Sequence, residues 1–544
     1  MITGDHECGY LWGPGSDPEW QPLVNNGQGN VPGMEYYKTS HTNSLIPVFA
    51  KGAGAELLGR HVAGEDPRRG AYIDNIAIGK VMLEVLSNET SAKVIELQKD
   101  DGYRGIWYAN QKTDDEYAYK YSGGLGTYCA KHIPHAIYAP QVNKTFFVYG
   151  GTSKDKDNLL EMVSYYDHAT GLVPRPTILV DKQTSDAHDN PVISIDDGGH
   201  IWVFASSHGK GRPSYIFRSL EPYSVEGFEQ VAETNFSYPQ PWFIKDQGFL
   251  FMLTSYDGGR VMYCQNSADG RTWGERKQLA FIDEGHYQTS RAHGSRVGTA
   301  FNYHPKAFGG DTAKKGLNWR TNLYYMESAD MGGTWTTVDG RVVETPVTTA
   351  RNPALIHDYE AEGRLVYLKD VNYDAKGNPV ILHVTASTWL PGEAGEPREW
   401  RVAHWNGAEW LFHTITSSDN NYDMGSLYID DDGTWRIIAP TTDGPQQGNP
   451  GGEMALWIST DLGVTWTLER EVTAHSEYNH TYARRPVDAH PDFYAFWADG
   501  HGRQPSESHL YFCDKTGQKV FRLPYLMDGD TATPEPVAAA SEGA

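Results

Sequence analysis

The chain has 544 residues, 39% of them hydrophobic and 21% charged, a balance that suits one large globular domain or a few small ones. Forty-six Lys and Arg stand against 70 Asp and Glu, a formal net charge of −24, so a nucleic-acid partner, which wants a basic face, is not expected. No apolar run approaches the roughly 18–20 residues of a membrane helix, which sets a membrane partner aside as well.

From the N-terminus, "MITGDHECGYLWG" has no basic stretch leading into an apolar one, so no signal peptide is expected within this sequence. Residues 1–100 carry no clear repeat and are expected to pack on, or close, the domain that follows. From about residue 100, short apolar runs bounded by Gly, Asp, Asn and Pro replace any helical period, which reads as all-β. Hairpin-like units begin at His135, His188, Tyr238, His286, Arg351, Asn421 and Tyr482, 48 to 70 residues apart. Units of that length, each with room for four short strands, are propeller blades. "SADMGGTW" (328–335) and "STDLGVTW" (459–466) both fit Ser-x-Asp-x-Gly-x-Thr-Trp, and "SADGRTW" (267–273) is one residue shorter. This is the Asp-box, a structural turn between the outer strands of a blade. The expected architecture is all-β: a seven-bladed β-propeller over residues 101–528, an N-terminal wrapping segment over 1–100, and a disordered Pro/Ala-rich tail over 529–544.

Propeller geometry gives the polar residues at the hairpin starts a meaning. The first strand of each blade lines the channel, and residues equidistant from its hairpin turn lie side by side. In "DAHDNPVISIDDGGHIWVFASSHG" (186–209), His188 and His208 are symmetric about Asp197-Gly198-Gly199. His286 with His304, and Tyr482 with His501, have the same symmetry, and Tyr238 is paired with the Tyr256 region. The channel mouth is therefore expected to hold His135, His188, Tyr238, His286, Arg351, Tyr422 and Tyr482. A mouth rich in His, Tyr and Arg donates hydrogen bonds, carries positive charge and moves protons, and so suits an anionic ligand.

At "DAHDNPVISIDDGGHIWVFASSHG", and again at "RPSYIFRS" and "YPQPWF", the sequence resembles the seven-bladed propeller polysaccharide lyases that cut ulvan and rhamnose–glucuronate linkages, with the wider BNR-repeat proteins around them. The resemblance implies a secreted or periplasmic enzyme that β-eliminates a uronic-acid-containing polysaccharide or oligosaccharide. It implies catalytic roles for His188, His208 and Tyr238. The lyases' arginine does not carry over: Thr254 or Ser255 stands in its place, leaving Arg260, Arg218, Arg320 or Arg351 as the cation. The substrate-binding set expected around the triad is His135, Arg260, His286, Tyr303, Arg320, Arg351 and Tyr482. A related oligosaccharide dehydratase, a propeller α-L-rhamnosidase and a non-catalytic glycan-binding propeller are the alternatives.

Elimination needs a cation to neutralise the uronate carboxylate, a base for the C5 proton and an acid for the departing O4. Hydrolysis of the common type would need an Asp/Glu pair, and Asp189, Asp370 and Asp423 make no obvious one. The chemistry requires no cofactor. Cys264, His286 and His304, with His293 nearby, have ligand types suited to a structural zinc, and some of the lyases hold one through Cys and His; zinc or calcium would be structural here. The four cysteines, Cys8, Cys129, Cys264 and Cys513, form no Cys-x-x-Cys and leave the redox compartment undecided.

Overall fold

A computed structural model describes residues 2–3, 10–17, 19–40, 45–46, 48–51, 55–88, 93–154 and 156–537; Cys8 and residues 538–544 lie outside them. The chain divides into two compact units at Ser91/Ala92. The first contains a seven-residue 3-10 helix (Ala55–His61), a hairpin (Val62–Asp66 with Gly70–Ile73) and one α-helix (Asn75–Asn88). No helix among the described residues is long and apolar enough to cross a membrane.

The second unit contains seven antiparallel sheets, the blades of a β-propeller. Their first strands are Ala136–Ala139, Pro191–Ile195, Ser237–Ile244, Gln288–His293, Leu365–Tyr373, Ser426–Ile429 and Asn479–Arg484. Between blades lie continuous apolar layers, such as the one joining Phe204, Phe249 and Phe251. The three Ser-x-Asp turns connect third to fourth strands, as expected. In each, one Asp carboxylate oxygen accepts backbone N–H groups, Thr272 on Asp269, Thr334 on Asp330 and Thr465 on Asp461, at 2.7–2.9 Å. Trp273 then packs on Phe204, Phe249 and Phe251, with ring centroids 5.5–6.1 Å apart.

Three expectations are corrected. The unit at Arg351 straddles two blades: Leu355–His357 is the fourth strand of blade 4, and blade 5 starts at Leu365. The short Leu-Ile-His run resembles a first strand but has only an outer-edge partner. The propeller unit also begins before residue 100, because Lys93–Val94 and Gln98–Lys99 add fifth strands to blades 2 and 1. The tail is ordered through Val537. Thr531–Ala532 pairs with Val173–Pro174 beside blade 1, and Glu535–Val537 adds an outer strand to blade 7. Proline is tolerated there because an edge strand leaves one row of backbone groups unpaired. The tail thus ties blade 7 to blade 1, helped by a parallel bridge from Ile137 to Val487.

Ahead of blade 1 a separate hairpin, Trp107–Lys112 with Tyr119–Gly124, threads along the blade starts. Its "SGGLG" end packs backbone on backbone: Thr481 Oγ1 donates to the Gly124 carbonyl, and a Cβ on Gly124 would overlap the Asp499 carbonyl. Gly124→Ala is therefore expected to cost more than about 3 kcal/mol, the upper end of ordinary overpacking, read as a large drop in Tm. An unchanged Tm would mean the hairpin is not wedged against blade 7.

Candidate active site

The blade starts and the threading hairpin enclose a cavity of about 380 Å³. His188, His208, Tyr238, Arg260, Arg320, Tyr422 and Tyr482, all singled out from the sequence, line it.

His188 sits in a single turn, Ala187–Asp189, capped by Asp186, whose carboxylate accepts the His188 backbone N–H. In the adjoining hairpin, Pro191 pairs with Ala205. Continuing that register three residues outward in each direction aligns His188 with His208, and their rings stack at 3.9 Å and 13°. Each ring directs Nδ1 at one oxygen of Asp186, at 2.6 Å from His188 and 2.8 Å from His208. One carboxylate thus orients two imidazoles. With Nδ1–H donating, both Nε2 atoms carry lone pairs. His188 Nε2 faces the hydroxyls of Tyr128 (2.8 Å) and Tyr121 (3.0 Å). Among the described residues His208 Nε2 makes no hydrogen bond. Arg212 braces the base of the pair through two bonds to Asp189, at 2.7 and 2.8 Å.

Burial sets the protonation states. It pushes His188 below the ordinary histidine value, with Asp186 pulling the other way. It pushes the Tyr238 phenol well above 10, against the pull of Arg260. For Asp186, burial opposes the charge, but the two histidines outweigh it and hold the carboxyl well below its usual range. The site therefore pairs a neutral imidazole with a protonated phenol near neutral pH.

Tyr238 and Tyr482 reach the cavity by the same device. Each lies at a bulge of a first strand with a left-handed backbone, φ 53° and 50°. For a tyrosine this costs of order 1–3 kcal/mol, and such strain gathers at functional sites. The Tyr238 hydroxyl lies 3.2 Å from that of Tyr256, although the two are out of register along the strands, where Ser237 pairs with Thr254.

The cavity lining is cationic inside an acidic protein. Lys120, Lys131, Lys315, Lys369, Arg260 and Arg320 line it, with Glu284 the only carboxylate among the described lining residues. Burial lowers Lys131 to about 7 and takes Lys120 and Lys369 well below the usual lysine range; the arginines hold their charge at any working pH. Arg260 lies over Tyr256 (5.2 Å) and Tyr287 (5.7 Å), and its buried Nε has no partner. Arg320 lies over Tyr287 and Tyr367 at 4.8 and 4.6 Å and donates to the Leu317 carbonyl and the Tyr422 hydroxyl. Arg218 is engaged elsewhere, with Glu229 and Asp196.

Several expected members lie outside the cavity. His135 is buried, its Nδ1 facing the Val148 carbonyl at 3.4 Å, and Tyr128–Lys131 occupy its sector. His286 spends both nitrogens locally, Nε2 accepting from Ile282 N–H and Nδ1 donating to the Asn302 carbonyl, at 2.8 Å each. Strand alternation turns its neighbour Tyr287 inward instead. Tyr303 donates to Glu360. Arg351 is 88% exposed and pairs with Asp358, a consequence of the misplaced fifth unit. Bulging in blade 7 also breaks the Tyr482–His501 symmetry: Thr481 pairs with Ala498, and His501 does not line the cavity.

The zinc set does not fit. Cys264, His286 and His304 form no ligand group among the described residues. The Cys264 thiol lies in an apolar cluster with Trp335, and His304 is buried edge-on to Tyr287 at 4.8 Å.

Missed from sequence were Asp186, Tyr121, Tyr128, Lys120, Lys131 and Lys369. The signal for four of them is "YKYSGGLGTYCAK", a Tyr/Lys-rich stretch outside the blade period whose glycines permit close threading.

Fold and site together define a seven-bladed β-propeller with a histidine–tyrosine–arginine centre suited to anionic ligands. Residues 163–418 match the family described as "BNR repeat-containing family member". The chain is similar in sequence to ulvan lyases: it is 22% identical over 416 residues to "Ulvan Lyase-PL25" of Pseudoalteromonas sp. (strain PLSV), covering 70% of this chain and 82% of that one. It is 21% identical over 425 residues to an ulvan lyase of Nonlabens ulvanivorans, covering 70% and 86%. A polysaccharide lyase PL25 ulvan lyase solved with -[GlcA(1-4)Rha3S]- bound superposes with a TM-score of 0.61 at 17% identity, covering 77% of this chain and 96% of that one.

Proposed function

We propose that this protein is a polysaccharide lyase that β-eliminates a uronate-containing, ulvan-like polysaccharide or oligosaccharide at the His188–His208–Tyr238 centre. The observation that carries the assignment of roles is the pairing of two cavity arginines, neither with a carboxylate partner among the described residues, with an imidazole pair oriented by one carboxylate and a protonated phenol. Buried unpaired cations call for an anion. Groups whose environments push their pKa values apart divide into base and acid.

In this reading the substrate carboxylate meets Arg260, whose Nε is unsatisfied, with Arg320 behind it. The imidazole pair takes the C5 proton, His208 Nε2 offering the open lone pair. The negative charge then shifts onto the carboxylate, where the arginines stabilise it. Expulsion of O4 forms the C4–C5 double bond, and the Tyr238 hydroxyl supplies the proton that O4 gains. His208 acts in proton transfer and not in orienting the carboxylate, because Asp186 already holds its Nδ1. With Glu284 alone, the lining does not offer the carboxylate pair of a common hydrolase. Secretion or export to the periplasm follows from a polymeric substrate.

The test is product chemistry. Digestion of ulvan is expected to create the ultraviolet absorbance of an unsaturated uronate; free reducing ends without it would assign hydrolysis. The pH dependence follows from Tyr238. Because its phenol is held well above 10, kcat is expected not to fall as pH rises from 8 to about 10. An alkaline limb below 10 that persists in Tyr238→Phe would assign the acid elsewhere.

A further inference from the structure

We propose a second site, unrelated to the cavity: a divalent transition-metal site of the zinc class, formed by His168, His490 and Asp492 across the junction of blades 1 and 7. His168 follows the third strand of blade 1, and His490 and Asp492 lie in the turn between the first two strands of blade 7. The two imidazoles come together with ring centroids 3.7 Å apart. One ligand atom from each of the three residues falls within 4.8 Å of the other two.

The His168 ring is set up as a ligand would be. Its Nε2 lies 2.8 Å from Thr145 Oγ1, a hydrogen bond that fixes the ring. Its Nδ1 is buried with no partner. Tyr138 and Tyr166 meet the ring edge-on at 5.4 and 4.9 Å, closing its apolar sides. A metal-binding histidine is held in this way, one nitrogen bonded to a neighbour and the other free.

A tetrahedral zinc with bonds of about 2.0–2.2 Å brings its ligand atoms to about 3.4 Å from one another. The closure required from 4.8 Å is small, and Asp492 is an exposed side chain free to supply it. Two nitrogens and one carboxylate oxygen, with solvent in the fourth position, suit zinc over calcium, which wants six to eight oxygens.

The location gives the ion a task. Blades 1 and 7 hold the two ends of the ring, and His168 and His490 are separated by most of the propeller sequence. An apolar core that includes Phe147, Tyr166, Phe493 and Phe512, the Ile137–Val487 bridge and the C-terminal strands join the two blades there, and the ion adds a polar link at the outer rim of that junction. An ion held from both sides binds the closed ring and not the opened chain, and so stabilises the closed ring by mass action.

The experiment uses the full chain, stripped with a chelator, dialysed against zinc and measured for bound metal and thermal unfolding. Asp186, His188 and His208 also converge, so every measurement is repeated in a His208→Ala background. The expected result in that background is one retained zinc per chain and a Tm raised by several degrees. Both effects are expected to disappear in His490→Ala, which keeps His168 in place but removes a half-buried ring packed on Tyr138, so each Tm is compared with and without zinc, and to weaken in Asp492→Asn. His168→Ala is expected to match His490→Ala if it folds. Failure of the His208→Ala protein to retain zinc, or retention undiminished by His490→Ala, would overturn the proposal. Elimination activity is not the readout, so the outcome is independent of the proposed function.

Discussion

Asp186→Asn is expected to lower kcat by about 10²–10⁴-fold, the full worth of a positioned proton-transfer group, with little change in KM. The carboxylate does not line the cavity, so no substrate contact is lost. What is lost is the shared acceptor. Asp186 receives Nδ1–H from both stacked rings; an amide has one oxygen, so its NH₂ must face the second ring. That ring then has to accept at Nδ1 and carry its proton on Nε2, which removes the lone pair that faces the substrate. Asparagine still caps the Ala187–Asp189 turn, so thermal unfolding is expected to stay close to that of the wild type. A loss confined to KM, or a collapse of Tm matching the loss of activity, would make Asp186 a scaffold residue and not the orienter of the pair.

Arg260→Met is expected to cost about 10²–10³-fold in kcat, the usual cost of one stabilising group at a developing anion. The substitution keeps much of the stem that packs between Tyr256 and Tyr287 while removing the charge and the unsatisfied Nε. Arg260→Lys is expected to recover only part of the loss, since an ammonium cannot grip a carboxylate with two parallel bonds. The decisive control is a substrate whose uronate is methyl-esterified. Wild type and Arg260→Met are expected to turn it over alike, because the carboxylate that distinguishes them is gone. Equal kcat values of the two proteins on the free uronate would remove Arg260 from the site. Arg320, held by Leu317 and Tyr422, would then be the remaining arginine for the role.

The histidine pair was legible because hairpin register is arithmetic. Once 186–209 is read as two strands and a turn, His188 and His208 must meet. The same arithmetic failed at His286 and His304 and at Tyr482 and His501, where register offsets and bulges shift the partners. A one-residue offset exchanges the faces of a strand, and this is why Tyr287 lines the cavity and His286 does not. Arg260 and Arg320 were on the list of cations, and the structure selects them over Arg218, which is already paired, and Arg351, which is exposed.

By itself the sequence determined the all-β class, the seven repeats, the Ser-x-Asp turns and the central place of His188, His208 and Tyr238. These follow from local periods and from pairings between residues about 20 apart, which short-range physics controls. Tertiary structure alone decided the rest. Asp186 becomes the shared anchor of two rings, a Tyr/Lys-rich segment outside the repeat supplies eight of the 25 lining residues, and the tail ties blade 7 to blade 1. Each of these joins residues whose separation along the chain carries no signal of contact, because only closure of the ring brings blade 1, blade 7 and the threading hairpin to one point.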